Sequence, residues 1–255
     1  MVVSHEATRT GAPRVAVHLL DALGRAGCET TVVHRWGGPL RADLDAAADW
    51  SVDEPASRLR AVLRRNQRTW PLATRVERWA ARRAIARVRP DQVWCNTVLS
   101  AVYVPAARAA GVPVALYSHE QPRRVQTALR RSGVTAAEVT DGVTLVGCSL
   151  DAATALADVL SVDLDTVALL HSPVDVAAVR ARAAAEPAPS VVHPFVVACG
   201  TGDHRKGLDV FIDAARCAAA SGSAVSWCWV GRVDDEQRDP AVDRKSTRLN
   251  SSHSS

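Results

Sequence analysis

Lysine is almost missing from this chain. Among 31 lysine and arginine side chains in 255 residues, only Lys206 and Lys245 are lysines. With abundant alanine and scarce isoleucine and asparagine, this reads as the codon bias of a GC-rich genome, which gives most arginines a bland origin. A lysine kept between Arg205 and Gly207 is more informative for that reason. Aromatic residues are also few, at 4%, so alanine, valine and leucine must fill the core that a 47% hydrophobic content allows. No apolar run approaches the roughly 20 residues of a bilayer span, and no leader pattern opens the chain. The expectation is a soluble, cytoplasmic protein. The six cysteines form no C-x-x-C and no metal-spaced pairing with histidine. Cys95, Cys148, Cys199 and Cys228 lie in apolar runs, as small hydrophobes do. That usage implies a reducing compartment and no structural metal.

What the chain does contain is unevenly placed. Residues 56 to 89 hold eleven arginines and one acid, Glu77, a local balance of +10; the remaining 20 basic and 26 acidic residues leave −6 elsewhere. Helices so charged are expected either to be solvated or to lie on an anionic membrane surface, here the inner face of the plasma membrane. Nucleic acid is not expected, because no recognition motif or stacking-aromatic pattern accompanies the charge.

Short apolar runs at 2–4, 30–34, 92–95, 112–117, 143–147, 166–170, 195–199 and 224–230 read as strands. Helix-period stripes lie between most of them: Val15, Leu19, Leu23 and Ala26; Val76, Ala80, Ala84 and Val88; Leu208, Phe211, Ile212 and Ala215. Strands alternating with helices predict an α/β fold with a parallel sheet covered on both faces. The length suits one large domain or two ordinary ones. A first domain over 1–179, a proline-bearing linker over 180–194 and a second domain over 195–243 are expected. The second holds only strand, helix and strand, too little for a core of its own. Residues 244–255 abruptly exchange alanine and valine for serine. They read as a disordered or foreign tail, with the natural protein expected to continue further.

In a parallel sheet, ligands gather beyond the C-terminal strand ends. Ser4-His5-Glu6 and Ser118-His119-Glu120 both stand at such ends, so these are candidate cleft residues on neighbouring strands. After the first triplet, "ATRTGAP" places Gly11 and Ala12 before Pro13 at a helix start, where exposed N–H groups favour an anion. G-x-G-x-x-G is absent, so this is no dinucleotide fingerprint. "GTGDHRKG" fails the phosphate-loop pattern, with Arg205 where glycine is needed and Gly207 where serine or threonine is needed. What remains is a strand, a polar loop, and Arg205-Lys206 at the opening of a helix, a suitable site for a diphosphate.

Four stretches, "SHEATRTGAPRVAVHLLDAL", "VPVALYSHE", "LVGCSLDAATALADVLSVDLDTVALLHSPVD" and "FVVACGTGDHRKGLDVFIDAA", occur in one order. Together they resemble the family 4 glycosyltransferases of the two-domain GT-B fold. The resemblance implies a Rossmann-like acceptor-side domain followed by the start of a second Rossmann-like domain. It implies transfer of a hexose from a UDP- or GDP-linked sugar, with retention and with no metal or further cofactor, in envelope polysaccharide biosynthesis. The acceptor would be a polysaccharide or lipid-linked glycan. His119 would act at the transferred sugar; Gly11, Ala12, Gly200, Arg205 and Lys206 would meet the donor phosphates. Two departures stand out. Thr201 occupies a position where many relatives carry arginine, and the family's pair of donor-side glutamates would fall beyond Arg232. The chain as given is therefore expected to bind donor poorly and catalyse little. A non-catalytic binding module using the arginine-rich segment, or a sugar-nucleotide epimerase of similar fold, are the competing readings.

Overall fold

The computed structural model describes residues 1–185, 194–202 and 204–231, the Arg205 side chain excepted. The expected tail at 244–255, residues 232–243 and most of the expected linker lie outside the described residues. The elements in order are β1 (Val2–Ser4), α1 (Gly11–Arg25), β2 (Thr31–His34), α2 (Arg41–Ala46), β3 (Trp50–Asp53), α3 (Ser57–Leu63), α4 (Trp70–Val88), β4 (Val93–Cys95), α5 (Tyr103–Ala109), β5 (Val114–Ser118), α6 (Pro122–Ser132), α7 (Ala136–Thr140), β6 (Val143–Gly147), α8 (Leu150–Leu160), β7 (Ala168–Leu169), α9 (Val176–Ala185), β8 (Phe195–Cys199), α10 (Leu208–Ala220) and β9 (Ser226–Val230). Packing divides the chain into two compact units, the first Met1–Ala177.

The first unit is an α/β layer structure around a seven-stranded sheet in the order β3-β2-β1-β4-β5-β6-β7. Every pairing within it is parallel. Parallel strands are buried on both faces, which is why β1, β4 and β5 read as apolar runs instead of alternating. Val3, Val33, Val93 and Leu116 are fully buried, and Ala84, Val125, Ala153 and Leu156 from the covering helices close over the same core. The second unit has β8 and β9 in parallel register, with α10 between them in sequence. Phe211 of α10 stacks edge-on against Trp227 and Trp229, with ring centroids 5.2 and 5.4 Å away.

Three differences from the sequence expectation have physical causes. Strand β3 lacks an apolar run: it is an edge strand with Trp50, Ser51 and Asp53 exposed. The 166–170 run contributes only Ala168–Leu169, because Leu164–Thr166 forms a 3₁₀ turn. Helix α9 runs through Ala185, so the first residues of the expected linker are helical, and no α9 side chain is buried.

The arginine-rich segment is partly inside the protein. Glu54, just after β3, is 2% exposed, and Arg60 of α3 is 1% exposed. The Glu54 carboxylate accepts from Arg35 Nε at 2.9 Å, from Tyr103 Oη at 3.0 Å and from the Arg60 guanidinium. Glu77, the segment's one acid, accepts from Arg64 at 2.8 Å and lies 3.8 Å from Arg35. Burial, and then the neighbouring Arg35, push the Arg60 guanidinium down to about 9, which still leaves it charged at neutral pH. Arg60 also hydrogen-bonds the Arg35 carbonyl and covers the Trp36 ring. This network ties the end of β2 to α3, α4 and α5.

Removing one partner from a buried ion network leaves an uncompensated charge and costs about 3–5 kcal/mol. Glu54→Ala is expected to lower unfolding stability in urea by that amount. Arg82→Ala, on an exposed position of α4, is expected to change it by less than about 0.5 kcal/mol. Equal effects of the two substitutions would contradict the assignment.

Candidate functional site

Sheet order reverses between β1 and β4. From β1 the chain moves outward to β2 and β3, then crosses back to β4 and proceeds the other way. At such a reversal no connection covers the C-terminal strand ends, and a crevice forms there. Three polar side chains stand at the ends of β1, β4 and β5: His5, Asn96 and His119. The two histidine triplets are therefore not on adjacent strands, as the sequence suggested; β4 lies between them. Asn96 fills that middle position. Sequence reasoning missed it, although a polar residue directly after the run ending at Cys95 was the available signal.

Each of the three carries a buried polar atom without a hydrogen-bond partner: His5 Nδ1, Asn96 Oδ1 and His119 Nε2. Other contacts hold the three side chains in place. Asn96 Nδ2 donates to the Ala12 carbonyl at 2.7 Å, which fixes the amide and ties β4 to the start of α1. His5 Nε2 lies 3.4 Å from Glu6 Oε1. The His119 ring packs edge-on against Tyr117 at 4.3 Å between centroids, and Tyr117 donates to the Leu170 carbonyl at 2.6 Å. Behind it, half-buried Glu120 accepts from the His119 backbone N–H at 2.8 Å and from Ser118 Oγ at 3.1 Å.

Burial disfavours charge on His5, His119 and Glu120. It pushes His119 down to about 4; an interaction with the Asn96 backbone partly opposes this and the proximity of His5 reinforces it. Burial likewise lowers His5, against the attraction of Glu6, and raises Glu120. At neutral pH both imidazoles are uncharged, so each ring offers one donor and one acceptor. An unpaired buried polar atom costs about 1–3 kcal/mol. Three at one crevice are what a ligand with several hydroxyl groups would satisfy.

The loop from β1 to α1 forms the crevice's side. Glu6 Oε1 accepts from Thr8 at 2.6 Å and from Thr10 at 3.3 Å, so the Thr10 hydroxyl makes no cap bond to α1. Gly11 opens the helix, and a β-carbon built on it would meet nothing within 4 Å. No packing contact in the unit requires glycine there. Gly38 differs: its β-carbon would fall 2.3 Å from the Ala7 carbonyl oxygen, and Leu40 N–H donates to that same oxygen at 2.7 Å. Only glycine lets the loop after β2 brace the loop after β1.

The remaining sequence-predicted residues, Gly200, Arg205 and Lys206, belong to the second unit. Gly200 follows β8, and the Lys206 stem lies across it: a β-carbon on Gly200 would come 3.5 Å from Lys206 Cγ. Lys206 sits in a 3₁₀ turn, His204–Lys206, and Gly207 with φ +75° caps α10. The cations thus precede the helix instead of opening it. His204 Nδ1 pairs with Asp209 Oδ2 at 2.7 Å. The Arg205 side chain lies outside the described residues.

No curated protein sequence matches the chain. Its structure is similar to that of Anabaena Alr3699/HepE in complex with UDP and glucose, with 16% identity and a TM-score of 0.57 over 92% of this chain and 61% of that one. It is also similar to a glycosyltransferase from Rickettsia africae ESF-5, at 13% identity and a TM-score of 0.60 over 90% of this chain and 60% of that one. UDP-GlcNAc 2-epimerase from Methanocaldococcus jannaschii matches at 10% identity and a TM-score of 0.50, covering 89% and 65%. This chain therefore spans less than two thirds of the length of each. Such likenesses establish the fold, the Rossmann-like α/β architecture of GT-B proteins. The family model described as Glycosyltransferase Family 4 matches residues 9–178, more than half of the chain. The chain belongs to Glycosyltransferase Family 4.

Proposed function

We propose that the protein moves a sugar from a nucleotide-diphosphate sugar to a glycan or lipid-linked acceptor, with retention and without a metal. The observation that carries this reading is the set of unpartnered buried atoms on His5, Asn96 and His119 at the sheet's reversal point. Sugar hydroxyls both donate and accept, and two neutral imidazoles beside an amide oxygen match them. Family membership and the fold shared with Alr3699/HepE support the donor class. UDP and GDP remain equal candidates for the nucleotide.

The residues divide the work by charge. Glu6 borders the first loop, so that side of the crevice suits hydroxyls better than phosphates. Gly11, with Ala12 next to it, leaves room beside the first turn of α1 for a donor group. Within the second unit, Lys206, which follows Arg205 in sequence and whose stem lies over Gly200, supplies positive charge to a diphosphate. As the glycosidic bond to phosphate breaks, negative charge grows on the departing diphosphate oxygen. A fixed cation there stabilises the transition state more than the ground state. His119 accepts a hydroxyl hydrogen bond at Nε2 and orients the sugar while that bond lengthens.

Two tests follow. In a protein with a donor-side unit as long as its relatives have, UDP or GDP at 100 times Kd is expected to stabilise folding by about 2.7 kcal/mol. Lys206→Ala is expected to remove that shift and to lower kcat by about 10²–10³. A melting curve indifferent to every nucleoside diphosphate would favour a non-catalytic binding module. Inversion at a sugar carbon without transfer would favour an epimerase.

The second test is pH. The folded His119 value of about 4 lies below its ordinary 6.5, so the unfolded chain binds more protons between those values. Stability should therefore fall as pH drops from about 6.5 towards 4, with His5 acting in the same direction. His119→Gln should flatten that slope in urea melts at stepped pH. An unchanged slope would show that His119 is not held neutral.

A further inference from the structure

The arginines of α3, α4 and α6 separate into two populations. Arg60, Arg64 and Arg78 are engaged internally, the last with the Gly133 carbonyl at 2.6 Å and with Glu138. The others are exposed: Arg58 on α3; Arg65 and Arg68 between α3 and α4; Arg75, Arg82, Arg83 and Arg87 on α4; Arg123, Arg124, Arg130 and Arg131 on α6. These helices are neighbours, since Arg64 at the end of α3 pairs with Glu77 of α4 and donates to the Arg131 carbonyl of α6 at 2.6 Å. Their one carboxylate, Glu77, is buried and already paired. The outer surface of the three helices is cationic without an acid of its own.

It is also apolar along one line. On α4, positions 72, 75, 79, 82, 83 and 86 fall on one side of a 3.6-residue helix, opposite the buried Ala73, Glu77, Ala80, Ala81 and Ala84. Leu72 is 49% exposed and Trp79 54%, and on α3 Leu59 and Val62 are exposed as well. On that wheel Leu72 and Trp79 run along the middle, with Arg75 and Arg82 on one flank and Arg83 and Arg87 on the other. A merely solvated face has no reason to carry a tryptophan and a leucine in its centre. A polyanion such as a duplex would neutralise the arginines but leave that apolar line uncovered.

From this arrangement we infer that the exposed face of α3, α4 and α6 docks onto an anionic lipid bilayer, Trp79 and Leu72 entering the interface while the flanking arginines meet lipid phosphates. Trp suits the headgroup level, and arginine stems lie along apolar surface with their heads in the polar layer. Among the described residues no helix is long and apolar enough to cross a membrane, so α4 lies along the surface. Helix α6 begins three residues after His119, so a lipid-borne acceptor would be presented beside the candidate crevice. That last clause rests on the sugar-transfer reading; the docking itself does not.

The test is co-sedimentation of the full chain with vesicles of phosphatidylcholine containing about one third phosphatidylglycerol. Binding to these and none to pure phosphatidylcholine is expected, weakening as salt rises from about 0.05 to 0.5 M. The triple variant Arg75→Glu, Arg82→Glu, Arg83→Glu is expected to lose at least about tenfold in affinity, each cation near the surface being worth about fivefold. Arg64 is left unaltered because it is paired with Glu77. Trp79→Ser should lose several-fold while circular dichroism stays unchanged. Salt-independent binding of the unaltered chain, wild-type affinity in the triple variant, equal binding to neutral vesicles, or tighter binding to a random DNA duplex would each overturn the inference.

Discussion

The parallel order of the seven strands constrains everything else in the first unit. All C-terminal strand ends lie on one edge, and the reversal between β1 and β4 falls at its middle, the place where open parallel sheets bind ligands. His5, Asn96 and His119 stand there because each is the first polar residue or nearly so after an apolar run that must stay inside the sheet. Desolvation then does two things at once. It keeps both imidazoles neutral, and it leaves three polar atoms without partners, a state that a hydroxyl-bearing ligand would relieve.

The loops around this crevice are held from behind by charge. Glu54 gathers Arg35 and Arg60 with Tyr103 inside the protein, which fixes the chain as it leaves β2. That chain braces the loop after β1 through Gly38 and Leu40 against Ala7. A buried network of this kind adds little net stability over an apolar substitute; its effect here is to place a loop. The same arginine-rich segment faces both ways, with Arg60 and Arg64 serving the network and Arg75, Arg82 and Arg83 serving the outer surface. Composition gave all of them one origin, and packing gave them separate uses.

Much of the fold was legible because parallel strands advertise themselves. The runs at 2–4, 143–147 and 195–199 coincide with β1, β6 and β8, and the α/β class and family resemblance agree with the fold and family found. Strand β3 was illegible because an edge strand with three exposed residues carries no apolar run. Strand order was illegible too: two histidine triplets look alike in sequence, yet nothing local says that β4 runs between them. Asn96 was overlooked because a lone asparagine after a strand is common. Arg58 and Arg60 are indistinguishable by composition, and only the position of Glu54 decides which one is buried. Helix α9 was hidden behind the prolines that follow it.

Histidine ring nitrogens report directly on whether the crevice binds a sugar through a neutral imidazole. Nitrogen-15 spectra of the protein, its donor side of the length its relatives have, should show His119 uncharged at pH 6 and its Nε2 resonance shifted when nucleotide sugar is added. A His119 ring that is protonated at pH 6, or one whose Nε2 resonance ignores saturating nucleotide sugar, would contradict the account.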